Sequence, residues 1–191
     1  DVDRQVASHA SRPLVVLFHG LEGSSQSHYA KAFADWAAEH DLNLALPHFR
    51  GCSGELNHAP RAYHSGDHQE VNWILEKMRQ THQQQGGQVV VAAGVSLGGN
   101  ALMRWTAEQG AQAKTCVDAV ASICSPLDLM ASGRAIGQGF NRQVYTRMFL
   151  RSMKPKALAK WAQHPGLFDK QRLLAARDLY EFDNVFTAPL H

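Results

Sequence analysis

No stretch of this 191-residue sequence approaches the ~20 consecutive apolar residues that a membrane-spanning helix requires. The opening residues, DVDRQVASHASRP, lack the basic-then-apolar layout of a secretory leader. Cysteine is scarce. Cys52, Cys116 and Cys124 form no CxxC spacing and are odd in number, which argues against a disulfide framework or a cysteine-rich zinc site and fits a reducing, cytoplasmic setting. Internal repeats are absent, and the one low-complexity patch, Gln83–Gly87, reads as an exposed loop. Phosphate loops are missing too: GLEGSS lacks the lysine of a P-loop, and GVSLGG lacks the glycine spacing of a dinucleotide fingerprint.

What remains is an ordinary globular composition, 45% hydrophobic and 19% charged, which excludes disordered and fibrous classes. The net charge of +2 is unevenly spread. Residues 1–125 carry nine Lys and Arg against twelve Asp and Glu, whereas residues 126–191 carry ten against five. The simplest reading of the basic half is a solvated helical face; a patch for acidic head groups or an anionic substrate is the alternative. No groove-reading or aromatic-interleaved motif accompanies it, so nucleic acid is not an expected partner.

Four short, largely apolar runs, Leu14–Phe18, Leu42–Leu46, Val89–Ala93 and Val117–Ile123, read as buried strands. Apolarity that does not alternate suits a parallel sheet covered on both faces. Helical spacing joins them: Tyr29, Phe33, Trp36 and Ala37, then Val71, Ile74, Leu75 and Met78, then a helix from Leu97 through Leu102 and Trp105 to Gly110. Such alternation predicts an α/β fold with right-handed crossovers. After Ile123 it stops. Residues 127–185 hold helix-compatible stretches, Arg142–Arg151 and Lys156–Gln163 among them, punctuated by Gly133, Gly137, Gly139, Pro155 and Pro165-Gly166, and no clear strand. The expected division is a core at 1–126 and a helical lid at 127–191.

Gly94-Val95-Ser96-Leu97-Gly98 fits G-x-S-x-G, a pattern that composition alone produces in such a chain roughly 0.07 times. Context sharpens the match, because it follows a strand and opens a helix, as a nucleophile elbow requires. A serine hydroxyl is a poor nucleophile unless a base accepts its proton. The helix starting at Leu97 contributes unpaired amides and a positive dipole end, where an oxyanion would form. One donor is then the Leu97 amide. The second is expected from the turn after the first strand, His19-Gly20-Leu21-Glu22-Gly23, at the Leu21 amide.

These residues resemble a known family. FHGLEGS (Phe18–Ser24), HFRGCSGE (His48–Glu55), YHSGD (Tyr63–Asp67), GVSLGGN (Gly94–Asn100) and FDNVFTAPLH (Phe182–His191) occur in the order found in the α/β-hydrolase superfamily, and most closely in its YheT-like branch of serine esterases. The resemblance implies an α/β-hydrolase fold, a mostly parallel sheet flanked by helices with a C-terminal helical lid. It also implies hydrolysis of carboxylic esters, short-chain or lipid-like, through a Ser-Asp-His triad with no metal or organic cofactor. The branch places its acid and base in motifs resembling HAKDDP and HGGHVGF, beyond the lid, and neither occurs here. The expectation is therefore an internal fragment: terminal strands missing at both ends, no strand before Leu14, triad acid and base beyond His191, and little activity alone. A non-catalytic module of the same fold, binding an apolar ligand or a partner, is the competing expectation.

Other candidates read as structural. Of eleven histidines only His164 and His191 follow Ser96; the first lies in a turn before Pro165-Gly166 and the second is the last residue. His64 and His68 flank Asp67 at metal-pair spacing, yet Ser65 reads as a helix cap and Asp67 as a first-turn acid. Asp128 reads as the start of a helix, His19 as a turn-shaping residue and Cys52 as a small residue in a turn. The substrate-binding residues are not written in the sequence.

Overall fold

The computed structural model describes the backbone of Val2–Gln5 and the whole of residues 11–191. The chain separates into two compact units, Asp1–Phe49 with Ser65–Pro126, and Arg50–His64 with Leu127–His191. The first unit is built on a five-stranded sheet: β1 (Val2–Gln5), β2 (Leu14–Phe18), β3 (Asn43–Pro47), β4 (Val90–Val95) and β5 (Ala119–Ile123), in the spatial order β1-β3-β2-β4-β5. Strands β3, β2, β4 and β5 run parallel, and β1 is antiparallel to β3.

The helices α1 (His28–Glu39), α2 (His68–Gln84) and α3 (Leu97–Gln109) connect these strands. Strand β2 explains how they divide. All five of its residues are buried, and successive side chains leave a strand on opposite faces. Val15 and Leu17 pack with Ala30 and Ala37 of α1, so Val16 and Phe18 are directed to the other face. Helices α2 and α3 lie against β2 and bury Val71, Leu75, Leu102 and Trp105. Each such side chain contributes about 1.5–3 kcal/mol of burial. Trp105 satisfies its indole N–H at Asn72 Oδ1, 2.9 Å away.

Two expectations about the sheet need correction. A strand does precede Leu14: Val2–Gln5 pairs with β3, although its V-D-R-Q sequence carries no apolar run. Only the partner strand makes it one. Strand β5 is not covered on both faces: Ala119 to Ser122 are exposed, and among the described residues β5 also pairs on one side only. An open edge of this kind is a site for aggregation.

The second unit holds α4 (Leu129–Ile136), α5 (Gly139–Asn141), a π-turn at Arg142–Thr146, α6 (Arg147–Gln163), α7 (Lys170–Ala175) and α8 (Leu179–Val185). Its core is Leu150, Ala157, Leu173, Ala176, Phe182, Val185 and Phe186. Pro155 was expected to break a helix, and α6 runs through it. Proline removes the N–H that would bond the Arg151 carbonyl. Arg151 is exposed, so water can satisfy that carbonyl, while Leu150 and Ala157 are buried on either side of Pro155. Lys160 is also buried, where its ammonium donates to the carbonyls of Asn57 and Ala59 and to Gln163 Oε1, 2.9 Å away. Burial lowers its pKa from the usual lysine range.

Candidate active site

The strand register fixes where the site can be. Phe18 pairs with Gly94, and Val95 pairs with Ile123, so the chain leaves β2, β4 and β5 at one carboxyl edge. In open α/β sheets ligands bind at that edge. The three residues just beyond are His19, Ser96 and Cys124.

Ser96 lies between β4 and α3 with φ 53° and ψ −120°, a positive-φ conformation that residues with a Cβ rarely adopt. Its amide donates to the Ile123 carbonyl at 2.9 Å, and its carbonyl accepts from the Asn100 amide at 3.0 Å. Among the described residues no side chain hydrogen-bonds its hydroxyl. Glycines make the turn this tight. A Cβ on Gly94 would sit 2.5 Å from the Gly99 Cα, and one on Gly98 would sit 2.5 Å from the Phe18 carbonyl oxygen and closer still to that of His19. The first turn of α3 thus rests on the backbone at the end of β2. Gly98→Ala should lower stability by about 1–3 kcal/mol or more, read as the urea midpoint, because backbone cannot move aside as a side-chain tip can.

The facing turn is clamped from several directions. The Gly20 amide donates to the Tyr29 hydroxyl at 2.8 Å, and the Gly23 amide to the Gly20 carbonyl at 2.9 Å. A Cβ on Gly20 would meet the Ser96 Cβ at 3.2 Å, so this turn runs directly beside Ser96. His19 is buried, with Nδ1 2.8 Å from the Gly20 carbonyl and Nε2 accepting the Phe49 amide at 3.0 Å. The acceptor role of Nε2 assigns the proton to Nδ1. Both ring nitrogens are committed to backbone, which makes His19 a turn-shaping residue. Among the described residues, the Leu21 and Leu97 amides donate to no protein acceptor.

On the third strand's exit, Asn100 Nδ2 donates to the Pro126 carbonyl at 2.8 Å, and Ser125 Oγ packs where a Cβ on Gly99 would be. Sequence reading missed Tyr29 and Asn100 as site-shaping residues. Tyr29 looked like one more apolar residue on a helix face, and nothing local marks its hydroxyl for an amide nine positions earlier.

The remaining candidates fall elsewhere. Asp67, not Ser65, caps α2, accepting the Glu70 amide at 3.3 Å, and Glu70 is the first-turn acid. Asp128 caps α4 by accepting the Ala131 amide at 2.9 Å. His164 bonds the His58 carbonyl at 2.8 Å, and His191 lies with its ring centroid 4.0 Å from that of His64. Cys52 is buried, with Lys156 Nζ 3.7 Å from its sulfur. Among the described residues no group of three or more His, Cys, Asp or Glu could hold a metal, and no helix is long and apolar enough to cross a membrane.

This parallel sheet with helical connections agrees with one family. The sequence matches the family model described as alpha/beta hydrolase fold over residues 13–179. The chain belongs to the alpha/beta hydrolase fold family. Within it the chain is YheT-like: it is 37% identical over 182 residues to YheT of Escherichia coli (strain K12), covering 94% of this chain and 52% of that protein. The monoacylglycerol lipase of Saccharomyces cerevisiae is 22% identical over 196 residues, 98% of this chain and 42% of that one. The chain thus spans about half the length of these curated relatives. Among solved structures, the Pyrococcus furiosus esterase Pf2001 superposes on this alpha/beta hydrolase with a TM-score of 0.56 at 15% identity, over 77% of this chain and 54% of that one. At that identity the likeness carries the fold alone.

Proposed function

We propose that this alpha/beta hydrolase is a serine esterase whose nucleophile is Ser96. The observation that carries the reading is the backbone of Ser96 itself. A positive φ on a residue with a Cβ costs on the order of 1–3 kcal/mol and persists where surrounding structure imposes it. Here the imposing elements are β4, the glycine-packed first turn of α3 and the bond to Ile123. A turn of this kind lifts a serine side chain clear of the sheet, where it can meet a substrate.

In the proposed reaction, Ser96 Oγ attacks the ester carbonyl carbon and its proton passes to a base. The carbonyl oxygen becomes an oxyanion, held by the Leu97 amide at the α3 N-terminus and the Leu21 amide of the facing turn. Collapse breaks the carbon–oxygen bond to the alcohol, which leaves with the proton. Water then releases the acid from the acyl-enzyme. His19 does not serve as the base in this reading, since its Nε2 is occupied by the Phe49 amide. The acid and base are not assigned to residues 1–191. To residues 127–191 we assign the role of a helical lid. The substrate class is carboxylic esters, short-chain or lipid-like, in keeping with the yeast relative named as a monoacylglycerol lipase.

The test is covalent capture. A nitrophenyl alkylphosphonate offers phosphorus to the nucleophile: an oxygen–phosphorus bond forms, nitrophenolate leaves, and the proton goes to the base. Peptide mass spectrometry of the intact protein should find the adduct on Ser96. An adduct on another residue, or none, would overturn the assignment.

A further inference from the structure

Four arginines between Asp128 and Asp169, namely Arg134, Arg142, Arg147 and Arg151, are all exposed, and among the described residues none of these four has a side-chain partner. Between Asp128 and Asp169 the chain has no acidic residue at all, and Asp128 is engaged as the α4 cap. The other three cations of that stretch are occupied. Lys154 donates to the Leu174 and Ala176 carbonyls, Lys156 lies on Cys52, and Lys160 holds Asn57 and Ala59.

The continuous helical run from Gly139 to Gln163 has its inward face at Thr146, Leu150, Ala157 and Lys160. The opposite face should be polar if it met only water. Instead Phe140, Val144 and Met148, at i, i+4 and i+8, are 76%, 41% and 52% exposed, and Arg147 and Arg151 sit beside them. Met130 of α4 and Tyr145 of the π-turn add 54% and 47% exposure. Apolar side chains interleaved with unpaired arginines, on a stretch of chain without an acidic residue, suit a boundary that is both oily and negative.

We infer that the outward face of residues 130–151 docks on an anionic lipid surface, with Phe140 and Met148 entering the acyl boundary and Arg142, Arg147 and Arg151 holding lipid phosphates. Apolar insertion and charge attraction act together in such binding. Charge complementarity chooses this occupant over a second copy of the chain, whose own arginines would repel. The inference does not rest on the role of Ser96.

Co-sedimentation of the intact chain with vesicles tests it. Vesicles of phosphatidylcholine with about one-third phosphatidylglycerol should retain the protein, pure phosphatidylcholine should not, and about 0.5 M salt should release it. Arg142→Gln, Arg147→Gln and Arg151→Gln together should weaken binding on the order of 100-fold, at about fivefold per arginine. Phe140→Ser with Met148→Ser should weaken it by about 10-fold or more with every charge in place. All five positions are exposed, so thermal midpoints should hold, and Ser96→Ala should bind as the parent does. Absence of binding by the parent, or undiminished binding by both variants, would overturn the proposal. So would a concentration-dependent dimer that the serine pair dissolves, which would give the face to a second copy.

Discussion

Replacing Ser96 by alanine should lower kcat/KM of the intact protein for a short-chain nitrophenyl ester by about 10⁶, a loss of ~8 kcal/mol of transition-state stabilisation. The fold should be untouched, because no described side chain bonds the hydroxyl and alanine carries the same Cβ at φ 53°. Ser96→Gly separates chemistry from strain. Glycine takes positive φ freely, so this variant should be as inactive as alanine yet more stable by about 1 kcal/mol. The measurements are ester turnover and urea unfolding of all three proteins. Parent-like turnover in Ser96→Ala would remove Ser96 from the mechanism, and equal stability of the alanine and glycine variants would remove the strain argument.

Arg79→Met should lower stability by about 2–5 kcal/mol, the largest stability loss expected from one side chain here. Arg79 is buried in α2 and spends its guanidinium on three acceptors. Nε donates to the Cys116 carbonyl at 3.0 Å, Nη1 to the Gln88 carbonyl, and Nη2 to Asp118 Oδ2 at 3.0 Å. Asp118 in turn accepts the Val90 amide at 2.8 Å, so one arginine links α2 to the starts of β4 and β5. Methionine fills the stem volume and leaves two carbonyls without their donor. The half-exposed carboxylate of Asp118 can turn to water, so most of the loss comes from the carbonyls. At about 2–4 °C per kcal/mol the thermal midpoint should fall by roughly 5–15 °C. Arg79→Lys should recover only part, since a single ammonium cannot span all three acceptors. Full recovery by lysine would mean the charge matters and the fork does not.

Much of the sheet was legible because its signals are local. Leu14–Phe18 is apolar throughout and buried throughout, and the periodicities of Val71, Ile74 and Leu75 and of Leu102 and Trp105 mark faces that do pack. Edges were less legible. Val2–Gln5 becomes a strand through a partner forty residues away, and Val117–Ile123 shortens to Ala119–Ile123 with its faces open. Capping was displaced by two residues, from Ser65 to Asp67, because both types cap well and only the chain's path decides which carboxylate or hydroxyl reaches an orphan amide. At Pro155 a strong local breaker lost to helix packing on both sides.

The sequence alone determined the fold class and the strand-turn-helix around Ser96, since each depends on residue types within a few positions. It also carried the charge asymmetry that sets residues 126–191 apart. Tertiary structure decided what those residues do with one another. It placed His19 with both nitrogens bound to backbone, brought Tyr29 to the Gly20 amide and the Gly20 turn against Ser96, and occupied Lys154, Lys156 and Lys160 while leaving four arginines outward. Local pattern can say that a residue is able to donate, accept or bury. Which partner it finds depends on chain segments tens of residues apart meeting in space, and that is decided only when the whole core packs.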